Sequence, residues 1–324
     1  MSAASSDFAP SRGFVVPYER VFSRLRRGTA QAADGTQIAY EVVGDGRETL
    51  MLANGLGGRL YSWLPLIDAL ADEYRLISWD YRGLFDSGSP SDPSALGVPD
   101  HAADALAILD AEGIERAHFV GWSMGVQVSL ELAAHHRYRV QSLLLINGTY
   151  GQVFSTAWQP LLRLPVPHTL WHGAMEAFIQ RPQALSALRT AARLPAEAAF
   201  AVRKRLLPGR PSQRTLGLRQ YMRDVAVTNT ANYLRLFQEL DAHSVYHLLP
   251  RMQVATTVIA GRYDPLTPCY QSREIAARLP GATLHVLHGT HFVLMERPKR
   301  VLELVRDHLD RVAAQPMRGT QEAR

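Results

Sequence analysis

The stretch His118-Phe119-Val120-Gly121-Trp122-Ser123-Met124-Gly125-Val126, running on to Ala134, decides how this chain folds. His118–Gly121 is a short apolar run of the kind that fills a strand buried on both faces. Val126–Ala134 reads as a helix. Between them stands G-x-S-x-G, Gly121 to Gly125. A strand that turns at once into a helix forces the middle residue into a strained conformation with its side chain thrust out, and glycines on either side remove Cβ atoms that would clash. The helix N-terminus aims amides at the same point and favours negative charge there. Ser123 is thereby marked as a nucleophile rather than a turn serine.

Outward from this point the pattern repeats. Towards the N-terminus, Thr49–Ala53 and Leu76–Trp79 are buried-strand runs, and Asp100–Ala111 has helical spacing. Ala33-Asp34-Gly35-Thr36 is a turn signal between two β-prone stretches, the second being Ile38–Val43. Towards the C-terminus, Val140–Ile146, Thr256–Ala260 and Thr283–Leu287 are further strands and Arg300–Val312 is a closing helix. Strands alternating with helices predict an α/β fold with a mostly parallel sheet and helices on both faces. Residues 152–225 break the alternation, with several prolines and no buried-strand run. They are expected to be a helical cap over the C-terminal strand ends, where ligands bind in such sheets. The division is then an N-terminal extension at 1–29, a core at 30–151 and 226–312, the cap, and a tail at 313–324.

A serine hydroxyl needs a base. Of 12 histidines, His291 in Gly289-Thr290-His291-Phe292 is best placed, on the loop between the last strand and the last helix. His288 ends that strand, His285 lies along it, and His135 and His136 suit a helix C-terminus. His101, His118 and His308 read as surface or packing residues. His168, His172, His243 and His247 fall in or near the cap. The base needs an acceptor that holds its tautomer. Asp264 follows the fifth buried strand in Gly261-Arg262-Tyr263-Asp264-Pro265. An Asx turn before proline is its plain structural reading. The order Ser123, Asp264, His291, each at the C-terminal end of a strand, raises it to triad acid. Asn54-Gly55-Leu56-Gly57-Gly58 follows the first buried strand, and the Leu56 and Met124 N–H groups are assigned to an oxyanion hole. Asn54, Gly55, Gly57 and Trp122 are expected against the substrate. No Walker lysine follows the glycines, which sets nucleotides aside.

Composition narrows the classes. The 324 residues are 47% hydrophobic and 20% charged, with a net charge of +5. That is globular material, with no apolar run long enough to span a membrane. The single cysteine, Cys269, predicts a reducing, cytoplasmic setting. The N-terminal stretch has no apolar h-region of a secretory signal. Residues 152–249 hold 12 Lys/Arg against 5 Asp/Glu. A solvated arginine surface is the plain reading, and steering of an anionic small molecule is the functional one. The arginines are scattered without a reader motif, so nucleic acid is not expected. No metal and no organic cofactor are called for.

Taken in order, Asp34-Gly35, Asn54–Gly58, Trp63, Asp80-Tyr81-Arg82-Gly83, Gly121–Gly125, Gly261–Asp264 with Pro268, and His291 with Glu296 and Pro298 make the chain resemble the α/β-hydrolase family over about residues 30–312. The resemblance implies an eight-stranded, mostly parallel sheet with a helical cap after the sixth strand. Three positions depart from the family pattern. Asn54 stands for the usual histidine, Phe85 for a glycine, and Val126 for a third glycine after the elbow. Ser123 separates the chain from relatives that carry Asp at the elbow, such as haloalkane dehalogenases and epoxide hydrolases. The expected activity is hydrolysis of a small carboxylic ester or lactone through an acyl-enzyme. The same machinery also serves C–C bond hydrolysis, thioester hydrolysis, acyl transfer and perhydrolysis, and the fold serves as a non-catalytic ligand receptor in another class.

Overall fold

A computed structural model of the chain describes residues 18–151, 168–181, 183, 187 and 213–314. Most of the expected extension (to residue 17), much of the cap (152–167 and most of 182–212) and nearly all of the tail (from 315) lie outside the described residues.

Eight strands form one sheet: β1 (Arg26–Gln31), β2 (Gln37–Val43), β3 (Thr49–Ala53), β4 (Arg75–Trp79), β5 (Ala117–Trp122), β6 (Val140–Ile146), β7 (Thr256–Gly261) and β8 (Thr283–Leu287). Their order is β1-β2-β4-β3-β5-β6-β7-β8. β2 runs antiparallel to both neighbours, and the pairings from β4 to β8 are parallel. The central strands are apolar on both faces because helices cover both. Leu50 and Leu52 of β3 pack with α2 (Leu64–Leu70) and α10 (Pro298–Ala313). Met51 and Ala53, pointing the other way, pack with α3 (Val98–Ala111) and α4 (Met124–His135).

The extension was expected to end at residue 29, but β1 begins at Arg26 and a short α1 (Glu19–Ser23) precedes it. Val21 is buried against the α2 side of the sheet. β1 gave little signal because it is an edge strand, paired only to β2, with Ala30 its one buried residue.

Strand order reverses at β3. β4 lies on one side of it and β5 on the other, so a crevice opens beyond the carboxyl ends of β3 and β5. In register, Ala53 of β3 pairs with Gly121 of β5. The loop after Ala53 and the turn after Trp122 therefore emerge side by side. The glycines of G-x-S-x-G are fixed by this crowding: a Cβ on Gly125 would lie 2.0 Å from Ala53 O, and one on Gly121 would lie 2.3 Å from Gly125 O.

Between β6 and β7 the chain makes α5 (His168–Ile179), α6 (Gln213–Val227) and α7 (Thr230–Ala242). α7 buries Leu236 and Leu240 in the core. The two ends of this insertion meet in an antiparallel bridge, Gly151 to Ser244, beside a Val245 N–H to Tyr150 O bond of 3.2 Å. α8 (Cys269–Arg278) and α9 (Val293–Glu296) complete the description. Among the described residues no helix is long and apolar enough to cross a membrane.

Candidate active site

Ser123 stands at the junction of β5 and α4 with φ 55° and ψ −114°. Such a conformation costs on the order of 1–3 kcal/mol for a residue with a Cβ. Packing around the turn holds it there, and its N–H donates to Ile146 O at 3.0 Å. His291, on the loop after β8, lies with Nε2 2.9 Å from Ser123 Oγ and Nδ1 2.8 Å from Asp264 Oδ2. A carboxylate only accepts, so Nδ1 carries the proton and Nε2 is left to accept from the serine hydroxyl. His291 and Asp264 are buried, and Ser123 is partly exposed. The chain thus brings together three residues separated by up to 168 positions.

Asp264 closes an Asx turn and also faces His291. Oδ1 closes an Asx turn by accepting the Leu266 and Thr267 N–H groups at 2.8 and 2.9 Å. Oδ2 faces His291 and also accepts from Thr267 Oγ1 at 2.8 Å. The Leu266 and Thr267 amides on one oxygen and the His291 ring on the other fix the plane of the carboxylate.

Two supports escaped the sequence reading. Asn147, just after β6, has φ 46°. Its Oδ1 accepts Gly261 N–H at 2.5 Å and its Nδ2 donates to Thr290 O at 2.7 Å. It therefore ties the Asp264 loop to the His291 loop. Thr267 donates to Asn147 O or Asp264 Oδ2 and lies 3.2 Å from His291 Nδ1. The available signal was Asn147-Gly148 after a strand, since Asn tolerates positive φ. Glu296 holds the other side of the histidine loop, accepting from the Thr290 N–H at 2.7 Å and hydroxyl at 2.9 Å.

The substrate-facing expectations need a correction. Asn54 is 1% exposed. Its Nδ2 donates to Trp79 O (2.6 Å) and Ser78 Oγ (3.1 Å), and its Oδ1 accepts from Trp63 Nε1 (2.7 Å). A side chain with its polar atoms so committed braces the loop from beneath. Trp122 is equally buried, and its Nε1 donates to His291 O at 3.0 Å, so it positions the histidine loop. Gly55 lies against the Trp122 ring, where a Cβ would come within 2.8 Å. Gly57 lies under α6 and α7: a Cβ there would meet Val225 at 2.7 Å and Tyr233 at 3.0 Å. Leu56, on the loop after β3, and Met124, directly after Ser123, are both buried, and among the described residues neither backbone N–H donates to a turn or loop carbonyl.

The departures from the family pattern have local accounts. Phe85 takes φ 52°, the left-handed conformation that suits glycine, with the Arg59 guanidinium 4.9 Å over its ring. Arg59 itself pairs with Asp80 at 2.7 and 3.0 Å. Val126 is accommodated because its neighbour is Gly148, where a Cβ would lie 2.2 Å from Val126.

Several of the other histidines pack or brace the fold. His101, His118 and His308 are buried outright rather than at the surface. His243 bonds Gln127 (2.9 Å) and Glu131 (2.8 Å) of α4. His288 lies 3.5 Å from the Tyr263 hydroxyl.

Comparison with known proteins agrees with the geometry. A profile described as the alpha/beta hydrolase fold matches residues 48–298. A protein of Stutzerimonas stutzeri named "Putative carbamate hydrolase RutD" is 30% identical over 268 residues, covering 81% of this chain and 91% of that protein. Among solved structures, the enol-lactonase from Burkholderia xenovorans LB400 superposes with a TM-score of 0.70 at 25% identity, over 87% of this chain and all of that one. A hydrolase from Pseudomonas aeruginosa PA01 gives 0.69 at 25% identity, over 88% and 98%. With its sheet, its crevice and these relatives together, the chain belongs to the alpha/beta hydrolase fold family.

Proposed function

We propose that the protein is a serine hydrolase that cleaves a small carboxylic ester or lactone through an acyl-enzyme on Ser123. The observation that carries this is the continuous line from Ser123 Oγ through the His291 ring to Asp264, at 2.9 and 2.8 Å. In this reading His291 Nε2 takes the hydroxyl proton as Oγ attacks the carbonyl carbon. Asp264 keeps the ring oriented and offsets the imidazolium charge. The Leu56 and Met124 N–H groups receive the oxyanion, each worth about 3–4 kcal/mol of barrier. His291 then gives its proton to the leaving oxygen. Water enters and attacks the acyl carbon as His291 removes its proton, and His291 returns that proton to Ser123 Oγ as the Oγ–acyl bond breaks and the carboxylic acid leaves. No metal or organic cofactor has a step in this sequence. Residues 152–225 act as the cap, and their excess of arginine favours anionic substrates.

A carbamate is the second substrate class, favoured by the name of the 30%-identical relative. Its acyl carbon is attacked in the same way, and only the leaving group or acyl substituent changes.

The test is hydrolysis of a panel of p-nitrophenyl esters, lactones and carbamates by wild type and Ser123→Ala, with a fluorophosphonate as covalent probe. Wild-type turnover and labelling at Ser123, both lost in the variant, are expected. Equal turnover by the two proteins would sink the proposal.

A further inference from the structure

We infer that Tyr221 on α6 is a positioning residue for this reaction: its hydroxyl locks the peptide group that follows the Leu56 donor and so holds the oxyanion loop in its working shape. The inference rests on the hydrolytic reading above.

Gly55, Leu56, Gly57 and Gly58 make a four-residue turn closed by the Gly58 N–H donating to Gly55 O at 2.7 Å. Gly57, its third residue, has φ +80°. This is the type II arrangement. Types I and II share the same closing hydrogen bond and differ by a half-rotation of the central peptide, here Leu56 C=O with Gly57 N–H. The turn's own bond therefore does not choose between them. The Tyr221 hydroxyl does, because it donates to Leu56 O at 2.9 Å. If that peptide flips, the hydroxyl loses its acceptor and a carbonyl swings to the side where the Gly57 N–H now points.

Three further contacts make this lock specific. Burial pushes the Tyr221 hydroxyl well above its usual range, so it stays a donor. Tyr233 of α7, another phenol raised by burial, flanks Gly57 together with the Tyr221 ring. The Tyr221 ring, finally, packs on Trp122 (centroids 6.1 Å apart) and Phe292 (5.4 Å). These are the sequence neighbours of Ser123 and His291. One side chain of the insertion thus touches both the oxyanion loop and the flanks of the proton-transfer pair, without belonging to either.

Tyr221→Phe keeps the ring and removes only the lock. With a p-nitrophenyl ester that wild type turns over, kcat is expected to fall about 10-fold, less than for loss of an oxyanion donor itself. KM should stay within about twofold, because ground-state binding does not use the oxyanion contact. The rate of fluorophosphonate labelling at Ser123 should fall by the same factor as kcat. Unchanged kcat and labelling overturn the inference, and so does a rise in KM alone, which would mark Tyr221 as a substrate contact. If the variant melts below wild type, both assays are repeated at a temperature where each protein is folded: the same matched fall in kcat and labelling at constant KM supports the lock, and wild-type kcat overturns it. A wild type that neither turns over the ester nor accepts the probe is distinct from all these results, since it removes the hydrolytic reading and this inference with it.

Discussion

Asp264 gives one oxygen to a turn and the other to His291, and the proposed mechanism draws on the second alone. Oδ1 is spent on the Leu266 and Thr267 amides, and Oδ2 on His291 and Thr267 Oγ1. Asp264→Asn separates the two roles. The amide oxygen still serves the turn, so the melting temperature should change little, while the amide nitrogen faces Nδ1 as a donor and inverts the tautomer. A drop in kcat of about 10⁴-fold is expected, measured against an ester that wild type hydrolyses. Retention of most of the rate would remove Asp264 from the mechanism. Asn147→Ala tests the suture between the two loops: loss of both its side-chain bonds should lower kcat and melting temperature together, by about 1–3 kcal/mol of stability. That Ser123, Asp264 and His291 would meet was legible in the sequence, because each leaves a strand end, in the order that the proposed triad requires. Asn147 and Thr267 were not, because what they do depends on where three separate loops come to rest. Asn54 was misjudged for the same reason, since a glycine-rich neighbourhood does not reveal which way its side chain turns.

Element boundaries came out of the sequence almost intact where apolar residues are buried on both faces. β3, β6 and β8 coincide with the expected runs, and β4, β5, β7 and α10 extend them by one or two residues at an end. β1 shows the limit of that signal, since a charged edge strand carries no buried stripe to read. The junction of β3, β5 and α4 is the element-level contact that the site cannot spare. Gly125→Ala adds one methyl group 2.0 Å from Ala53 O. Neither backbone can yield without parting β3 from α4. The variant should lose about 3 kcal/mol of stability and most of its turnover, read by urea unfolding and ester hydrolysis. Wild-type values for both would mean that the junction is looser than its packing implies.

Across the whole molecule, buried histidines and buried carboxylates pull stability in opposite directions as pH falls. His118 bonds Ser142 Oγ at 2.7 Å, and the same hydroxyl bonds His308 at 2.8 Å. His308 in turn bonds Thr257 at 2.9 Å. Burial lowers His118 to about 4, and lowers His308 and His101 to about 3, with Arg311 beside His308 and Arg82 beside His101 adding to it. The unfolded chain takes up these protons below about pH 6.5 and the folded chain does not. Stability from these groups is therefore complete above that value and is lost as pH falls towards 4 and then 3, by about 1.4 kcal/mol per pH unit for each histidine. Burial works the other way on carboxylates, raising Asp80 to about 7 and Asp104 and Asp224 to about 6, so these three gain stability as pH falls from 7 to 5. The histidine share is read as a difference: the urea midpoint of His308→Gln should fall less, or rise more, than that of wild type between pH 7 and pH 5, and parallel curves would contradict the assignment.

The bridge that joins Gly151 to Ser244 has a consequence on an evolutionary timescale. Once the two ends of an excursion are pinned, each doubling of the chain between them costs only about 0.6 kcal/mol of closure entropy. The sheet beneath is thus insulated from changes in length or composition upstream of α7. Such a scaffold can trade one specificity module for another while its chemistry stays in place, provided the newcomer still offers a hydroxyl where Tyr221 now reaches down.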